Sequence, residues 1–247
     1  MKLSFDVDKG AGSKAALGLI VLQSDESMEP ELRSVFDQPG LALYHSRITS
    51  APEVTPETLA QMELDLPVAA DLLPTAQPLD VVGYGCTSGA TVIGADKISA
   101  IIRAAQPTSK TTDPITAVMA ACRHLGVKRL GFVTPYVADV SEAMRALLEK
   151  NGFTVAAFGS FEQIEESVVA RIAEQSVLDA VCAIGKEENV EAVFTSCTNL
   201  RSFGIIDKAE ATIGKPVISS NQALAWHMLT LAGLPTTGRG PGRLFQY

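Results

Sequence analysis

Short runs of apolar residues, continuous enough to be buried on both faces, recur along this chain between longer amphipathic stretches. Leu17–Leu22, Leu41–Tyr44, Val81–Tyr84, Leu130–Val133, Thr154–Phe158, Ala192–Thr195 and Pro216–Ser219 read as strands. A strand that is apolar on both faces belongs in a parallel sheet covered by helices on each side. Helices are predicted over Pro56–Leu72, Ile115–Leu125, Val140–Asn151, Ser167–Lys186 and Asn221–Leu231. Gly126 and Gly152 stand just past two of these, where a helix C-cap needs left-handed backbone. Alternation of strand and helix means an α/β fold of parallel sheets with right-handed crossovers.

The pattern occurs twice. In Asp80–Thr87 and in Glu191–Thr198 an acidic residue stands six positions before a cysteine, an apolar strand lies between, and a threonine follows. Gly18–Gln23 likewise parallels Gly131–Tyr136. Cys86 and Cys197 are 111 residues apart, and Gly18 and Gly131 are 113 apart. Near-equal offsets of this kind predict two similar lobes of about 110 residues, with a cleft between them. Asp113-Pro114 is the natural crossover, so the lobes are expected at residues 1–113 with 222–247, and at 114–221.

Composition removes several function classes. Of 247 residues 47% are hydrophobic, enough for a large core. Twenty basic residues against 28 acidic ones give a net charge of −8, with no basic run. A nucleic-acid partner is therefore not expected, nor an anionic membrane surface. Ala15–Leu22 follows Lys14 as a signal segment would, but it ends in Gln23-Ser24-Asp25-Glu26 without a small-residue cleavage site and reads as a buried strand. No apolar run approaches the roughly 18 residues of a membrane helix. The cysteines Cys86, Cys122, Cys182 and Cys197 form no CxxC, and His45, His124 and His227 have no metal-binding spacing. Free thiols in a reducing cytoplasm are expected, with no metal. The glycines of Gly89–Gly94 match neither GxGxxG nor a P-loop, so no nucleotide is expected. The sequence leaves oligomeric state open, a homo-oligomer included.

Cys86 and Cys197 carry the chemical argument. Each follows a predicted buried strand, and in open α/β sheets ligands bind at the carboxyl ends of strands. A thiol beside a helix N-terminus there is expected to have a lowered pKa. Cys122 and Cys182 fall within amphipathic stretches and are expected in the core. Two thiols facing one cleft suit cofactor-free racemisation, with one removing a proton and the other supplying one on the opposite face. They equally suit cis–trans isomerisation, in which a thiolate adds to a double bond, a C–C bond rotates and elimination follows. Both routes place negative charge on a substrate carboxylate. Thr87, Ser88, Thr198, Asn199 and the Tyr136 phenol are the candidate donors to it. Ser219-Ser220-Asn221 offers an N-cap or a further substrate contact.

Leu22–Glu29, Gly83–Gly89, Thr134–Tyr136, Ser196–Asn199 and Gly214–Ser220 together resemble the Asp/Glu racemase superfamily. Within it they are most similar to the maleate cis–trans isomerases and arylmalonate decarboxylases. The resemblance implies two pseudo-symmetric flavodoxin-like lobes, an active site between them, and no cofactor. It implies that Cys86 is the nucleophile, that Cys197 handles the proton and that Tyr136 binds a substrate carboxylate. Arylmalonate decarboxylases keep only the cysteine matching Cys197 and use the residues matching Thr87, Ser88 and Tyr136 as an oxyanion hole. Decarboxylation through Cys197 and those donors is thus the alternative, and a non-catalytic carboxylate-binding protein is another. Maleate isomerases carry Asn at the position of Asp25. An ionised carboxylate accepts where an amide donates, so an Asp25 lining the cleft would face a cation or donor such as an amino group, unless it is protonated. A solvated loop or cap position is the other expectation for it. The Asp25 pattern resembles the branch associated with ectoine and diamino-acid catabolism.

Overall fold

A computed structural model describes residues 1–246. The first half runs β1 (Ala15–Leu22), α1 (Met28–Phe36), β2 (Leu41–Ile48), α2 (Pro56–Asp71), β3 (Val81–Gly85), α3 (Thr87–Ile93), α4 (Ala95–Ala105) and β4 (Lys110–Thr112). The second runs α5 (Pro114–Leu125), β5 (Arg129–Tyr136), α6 (Ala138–Lys150), β6 (Thr154–Gln163), α7 (Glu166–Val169), α8 (Glu174–Gly185), β7 (Ala192–Thr195), α9 (Ile206–Ile213), β8 (Val217–Ser219) and α10 (Ser220–Leu231).

Two sheets of four parallel strands result, ordered β2-β1-β3-β4 and β6-β5-β7-β8. Their order is the same, so β1 corresponds to β5 and β3 to β7, the pairs in which the sequence repeats. In each sheet the chain leaves the first strand to one side and returns on the other. That reversal opens a crevice at the carboxyl ends of the two central strands. Asp25 and Cys86 follow the central strands of one sheet; Tyr136 and Cys197 end those of the other.

All eight residues of β1 are buried, as expected for a strand covered on both faces. One apolar cluster runs through both halves, with Phe132 stacked on Phe194 at 5.5 Å between ring centres. The edge strand β6 alternates between exposed and half-buried residues. Among the described residues no helix is long and apolar enough to cross a membrane.

The predicted helix Ser167–Lys186 is two helices, α7 and α8. The chain bends between them because the Ile172 carbonyl accepts from the Arg201 guanidinium (3.1 Å) and Ala173 is extended. Helices α1, α3, α4 and α9 and the strand β4 lie outside the predicted set. β4 has three residues, Lys110-Thr111-Thr112, and so carries no apolar signal. α3 and α4 are short because Gly94, at φ 93°, turns the chain between them.

Gly18 and Gly131 occupy matching sites in β1 and β5, where a helix crosses close to the sheet. A Cβ at Gly131 would stand 2.5 Å from Ile184 Cγ2 and 3.2 Å from Val190 Cγ1. Gly131→Ala should cost about 1–3 kcal/mol through overpacking, seen as a lower midpoint in urea unfolding with an unchanged slope.

Candidate active site

Cys86 sits between β3 and α3 and caps the helix, its Sγ accepting from the Gly89 N–H at 3.2 Å. Gly89 must be glycine for this turn, because a Cβ there would stand 2.6 Å from the Tyr84 hydroxyl and 3.1 Å from the Cys86 sulfur. Cys197 follows β7 at φ 95°, a conformation that favours glycine. The strain aims its sulfur inward, where Sγ accepts from the Asn199 N–H (3.3 Å) and lies 2.9 Å from the Tyr136 hydroxyl.

The Tyr136 phenol joins Cys197 to a residue the sequence did not single out. Its hydroxyl donates to Glu166 Oε1 at 2.6 Å. With Glu166 ionised, the remaining arrangement has the Cys197 thiol donating to the phenol oxygen, a relay from Cys197 through Tyr136 to Glu166. Asn199 Nδ2 donates to the other carboxylate oxygen of Glu166 at 2.7 Å. Glu166 is 3% exposed, yet its only sequence signal is an acidic residue ahead of an amphipathic stretch.

Cys86, Ser88, Tyr136 and Glu166 line one cavity, closed over by Ser50, Ala51, Glu53 and Val54 from the first half of the chain. Its free volume is about 20 Å³, room for one water rather than a substrate. A strap holds it shut. The Val54 N–H donates to the Ile164 carbonyl and the Glu166 N–H to the Pro52 carbonyl, both at 3.0 Å, and Arg171 pairs with Glu26 at 2.9 Å. These bonds tie Pro52–Val54 to Ile164–Glu166 over the cavity. A more open groove of about 400 Å³ lies beside β2, lined by Glu29, Arg33 and His45 among others, but holds neither thiol. The chemistry points to the smaller cavity.

The other expected site residues surround this cavity. Thr87 Oγ1 donates to Ser220 Oγ (2.8 Å), which also accepts from the Cys197 N–H (3.2 Å), so one serine joins both cysteine loops. Thr198 Oγ1 makes a long contact to the Gly85 carbonyl (3.4 Å). Asn199 is a strut: its Oδ1 accepts from the Glu26 N–H (2.8 Å) and its Nδ2 donates to Glu166 and to the Ser24 carbonyl. The donors of Thr87 and Asn199, expected to meet a substrate carboxylate, are thus taken by the protein itself. Ser88 differs, since its hydroxyl is buried in the cavity wall without a partner.

Asp25 is 3% exposed and not the solvated loop residue that was one expectation. Its Oδ1 accepts from the N–H groups of Ser27 (2.8 Å) and Met28 (2.7 Å), capping α1. Its Oδ2 has no hydrogen-bond partner, although the Thr198 hydroxyl stands near. Burial raises its pKa against the pull of these donors and of Arg47. Burial likewise raises Glu166, opposed by Tyr136 and Asn199 and reinforced by the charge of Asp25. Glu31 bridges the halves, accepting from the Ser202 and Phe203 N–H groups and from Asn221 Nδ2 (2.6 Å), and burial pushes it up to about 7.

The expected lowering of the thiol pKa is reversed. Burial pushes Cys86 up to about 12, and the charges of Glu166 and Asp25 add to it against the Gly89 N–H. Cys197 is raised well above the usual thiol range for the same reasons, opposed by Tyr136. Two backbone N–H groups cannot offset full desolvation beside two carboxylates. Cys122 is buried in α5 as expected, while Cys182 on α8 is half-buried. Among the described residues no group of three or more His, Cys, Asp or Glu side chains could hold a metal ion.

Comparison with known proteins identifies relatives of this sequence and fold. A protein-family model described as arylmalonate decarboxylase matches residues 87–245. A maleate isomerase of Nocardia farcinica is 27% identical over 239 residues, covering 93% of this chain and 95% of its own. The structure of a cysteine-to-alanine variant of the Pseudomonas putida S16 maleate isomerase, with maleate, superposes with a TM-score of 0.85 at 26% identity, covering 94% of this chain and 97% of its own. A cysteine-to-serine variant of the Nocardia farcinica isomerase, holding a covalently bound succinylcysteine intermediate, gives a TM-score of 0.82 at 25% identity over 94% of this chain and 98% of its own.

Two measurements check the electrostatics. Iodoacetamide at pH 8 should label the half-buried Cys182 first and leave Cys86, Cys122 and Cys197 largely unmodified until the chain unfolds, as read by peptide mass mapping. Labelling of Cys86 at the rate of Cys182 would contradict the closed, protonated site. Asp25, Glu31, Asp113, Glu166 and Glu210 are all raised by burial, so each stabilises the fold below its unfolded pKa and loses that contribution as pH rises through the folded value. For Glu31 the window runs from 4.5 to about 7. His45 and His227, lowered by burial, act in the opposite sense as pH falls below their usual value. The five carboxyls outweigh the two imidazoles. The melting temperature should therefore be higher at pH 5.5 than at pH 8, with a shallower slope in Glu31→Gln.

Proposed function

Because the chain belongs to the arylmalonate decarboxylase family, in the group that includes the maleate isomerases, we propose that it is a cofactor-independent isomerase of a small carboxylate acting through Cys86 and Cys197. The observation that carries this reading is a buried thiol at each of two equivalent strand ends, Cys86 in the cavity wall and Cys197 behind it against the phenol of Tyr136, which lines the same cavity. The covalent cysteine intermediate seen in the Nocardia farcinica relative supports it.

The pair reacts as one thiolate and one thiol. Cys86, in the cavity wall, enters as the thiolate and forms an S–C bond to one alkene carbon of a substrate such as maleate. The π electrons move to the other carbon and its carboxylate, and that carbon takes the proton of Cys197. Rotation about the new C–C single bond follows. Cys197 then recovers the proton, the S–C bond breaks, and the double bond re-forms with the other geometry. No atom or electron is gained or lost, so no cofactor enters the scheme. In racemisation the same two groups exchange a Cα proton from opposite faces. Both thiols are pushed up in the closed site, so ionisation of Cys86 belongs to the opened, substrate-bound state. There the Gly89 N–H at its sulfur and the free Ser88 hydroxyl are available to developing negative charge.

Decarboxylation is the second reading, favoured by the family description and by the unpartnered Ser88 hydroxyl facing the cavity beside Tyr136. It needs Cys197 but not Cys86. We further assign residues 1–113 with 222–246 to one lobe and 114–221 to the other, a division that the packing of α10 on β3 and β4 supports, while α10 also packs on α5 and Gly242 and Arg243 hydrogen-bond to α9. A cytoplasmic location fits the four free thiols.

Proton NMR in deuterated water with maleate, aspartate, glutamate and phenylmalonate tests the assignment. Isomerisation or Cα exchange should fall by about 10³-fold or more in both Cys86→Ser and Cys197→Ser, with the fold retained by circular dichroism. Release of carbon dioxide from phenylmalonate that survives Cys86→Ser would move the assignment to the decarboxylase. Full activity in both variants would refute thiol chemistry.

A further inference from the structure

We propose that the substrate carries a positively charged nitrogen as well as a carboxylate, and that Glu166 receives it. The inference rests on the thiol-isomerase reading and specifies its substrate class. The walls of the cavity supply the first argument. Its charged lining residues are Glu53 and Glu166, and no Lys, Arg or His lines it. A site built for a plain dicarboxylate would place cations or uncommitted donors there, since buried charges need partners.

The neighbouring guanidinium groups are already committed. Arg47 donates to the carbonyls of Leu22 (2.9 Å) and Asp25 (3.0 Å) and pairs with Glu29 at 3.1 Å, and Arg171 donates to the Ser167 carbonyl and pairs with Glu26. Glu166 is held by two neutral donors, Tyr136 and Asn199, and forms no ion pair among the described residues. Its carboxylate still has acceptor capacity, because two oxygens offer about four lone-pair sites and these contacts use two. Asp25, whose charge acts on Glu166 and on both thiols, keeps one oxygen without a hydrogen bond of good geometry, with only the Thr198 hydroxyl near it.

The same cavity also holds a group of the opposite character. Ser88 Oγ is buried with no partner, a donor free for a carboxylate. The lining therefore offers both carboxylate acceptors and a free hydroxyl donor, the complement of what a small amino acid presents. An ammonium at Glu166 would also offset the negative charge that adds to burial in keeping both thiols protonated. Arrival of the correct ligand would then favour the thiolate, whereas a dicarboxylate would add further negative charge and oppose it.

Three probes of similar length separate the possibilities: succinate, aspartate, which adds an ammonium to it, and 3-aminopropionate, which exchanges one carboxylate for an ammonium. Each is titrated calorimetrically into the full chain carrying Cys197→Ser, so that turnover plays no part. At least one ammonium probe should bind about tenfold or more tightly than succinate, and Glu166→Gln should remove that preference. Succinate binding as tightly as both, no binding by either ammonium probe, or a preference that survives in a folded Glu166→Gln would overturn the proposal. The ranking in Cys197→Ser alone decides the matter if Glu166→Gln fails to fold. Thiol chemistry is judged separately by turnover in the cysteine variants, so either idea can fail without the other.

Discussion

The side chain of Asn199 is the joint about which the site is assembled. One amide reaches the loop after β1 through Glu26 and Ser24, and the segment after β6 through Glu166, while its own backbone N–H supports the Cys197 sulfur. Three strand ends from two sheets are thereby fixed to one planar group. The bond to Glu166 is buried and those to Glu26 and Ser24 are partly so, and losing the amide would leave a buried carboxylate oxygen without its partner. Such a loss costs more than the bonds themselves are worth. The placement of Tyr136 follows, because its phenol is set by the carboxylate that Asn199 holds.

Around this joint the fold repeats itself. Two sheets share the same strand order, so the loops after β3 and β7, which carry Cys86 and Cys197, are counterparts. Ser220 makes the correspondence physical, accepting from Thr87 in one loop and from the Cys197 N–H in the other. The counterparts are not equivalent. Cys86 caps a helix in extended backbone, whereas Cys197 is held at a strained positive φ and is met by a phenol. Near-symmetry supplies two thiols, and departure from it gives them different surroundings, as the proposed division between attack and proton transfer needs.

The closed site holds its reagents in unreactive form. Burial and two carboxylates keep both sulfurs protonated, and a strap between Pro52–Val54 and Ile164–Glu166 excludes solvent. Desolvation that suppresses the thiolate at rest strengthens every electrostatic contact once substrate is enclosed. The strap is joined to the site through Glu166, which supplies one of the strap's hydrogen bonds and also touches Tyr136.

Much of the plan was legible from one dimension. Continuous apolar runs located β1, β3, β5 and β7, and the two cysteines could be placed at strand ends because burial on both faces forces parallel strands with functional carboxyl ends. The break between α7 and α8 was not legible, since it answers to Arg201, which approaches only in the folded chain. Glu166 was invisible for a similar reason: 30 residues separate it from Tyr136 and 33 from Asn199, and local pattern carries no trace of such partners. The sequence by itself determined the residue types, their repeat and hence two sheets with paired thiols, because periodicity and burial are local consequences of side-chain chemistry. Only the tertiary structure decided which donors stay free, that Asp25 is buried, and that the thiol pKa values rise rather than fall. Those properties are sums over desolvation and distant charges, and they exist only once the strand ends have met.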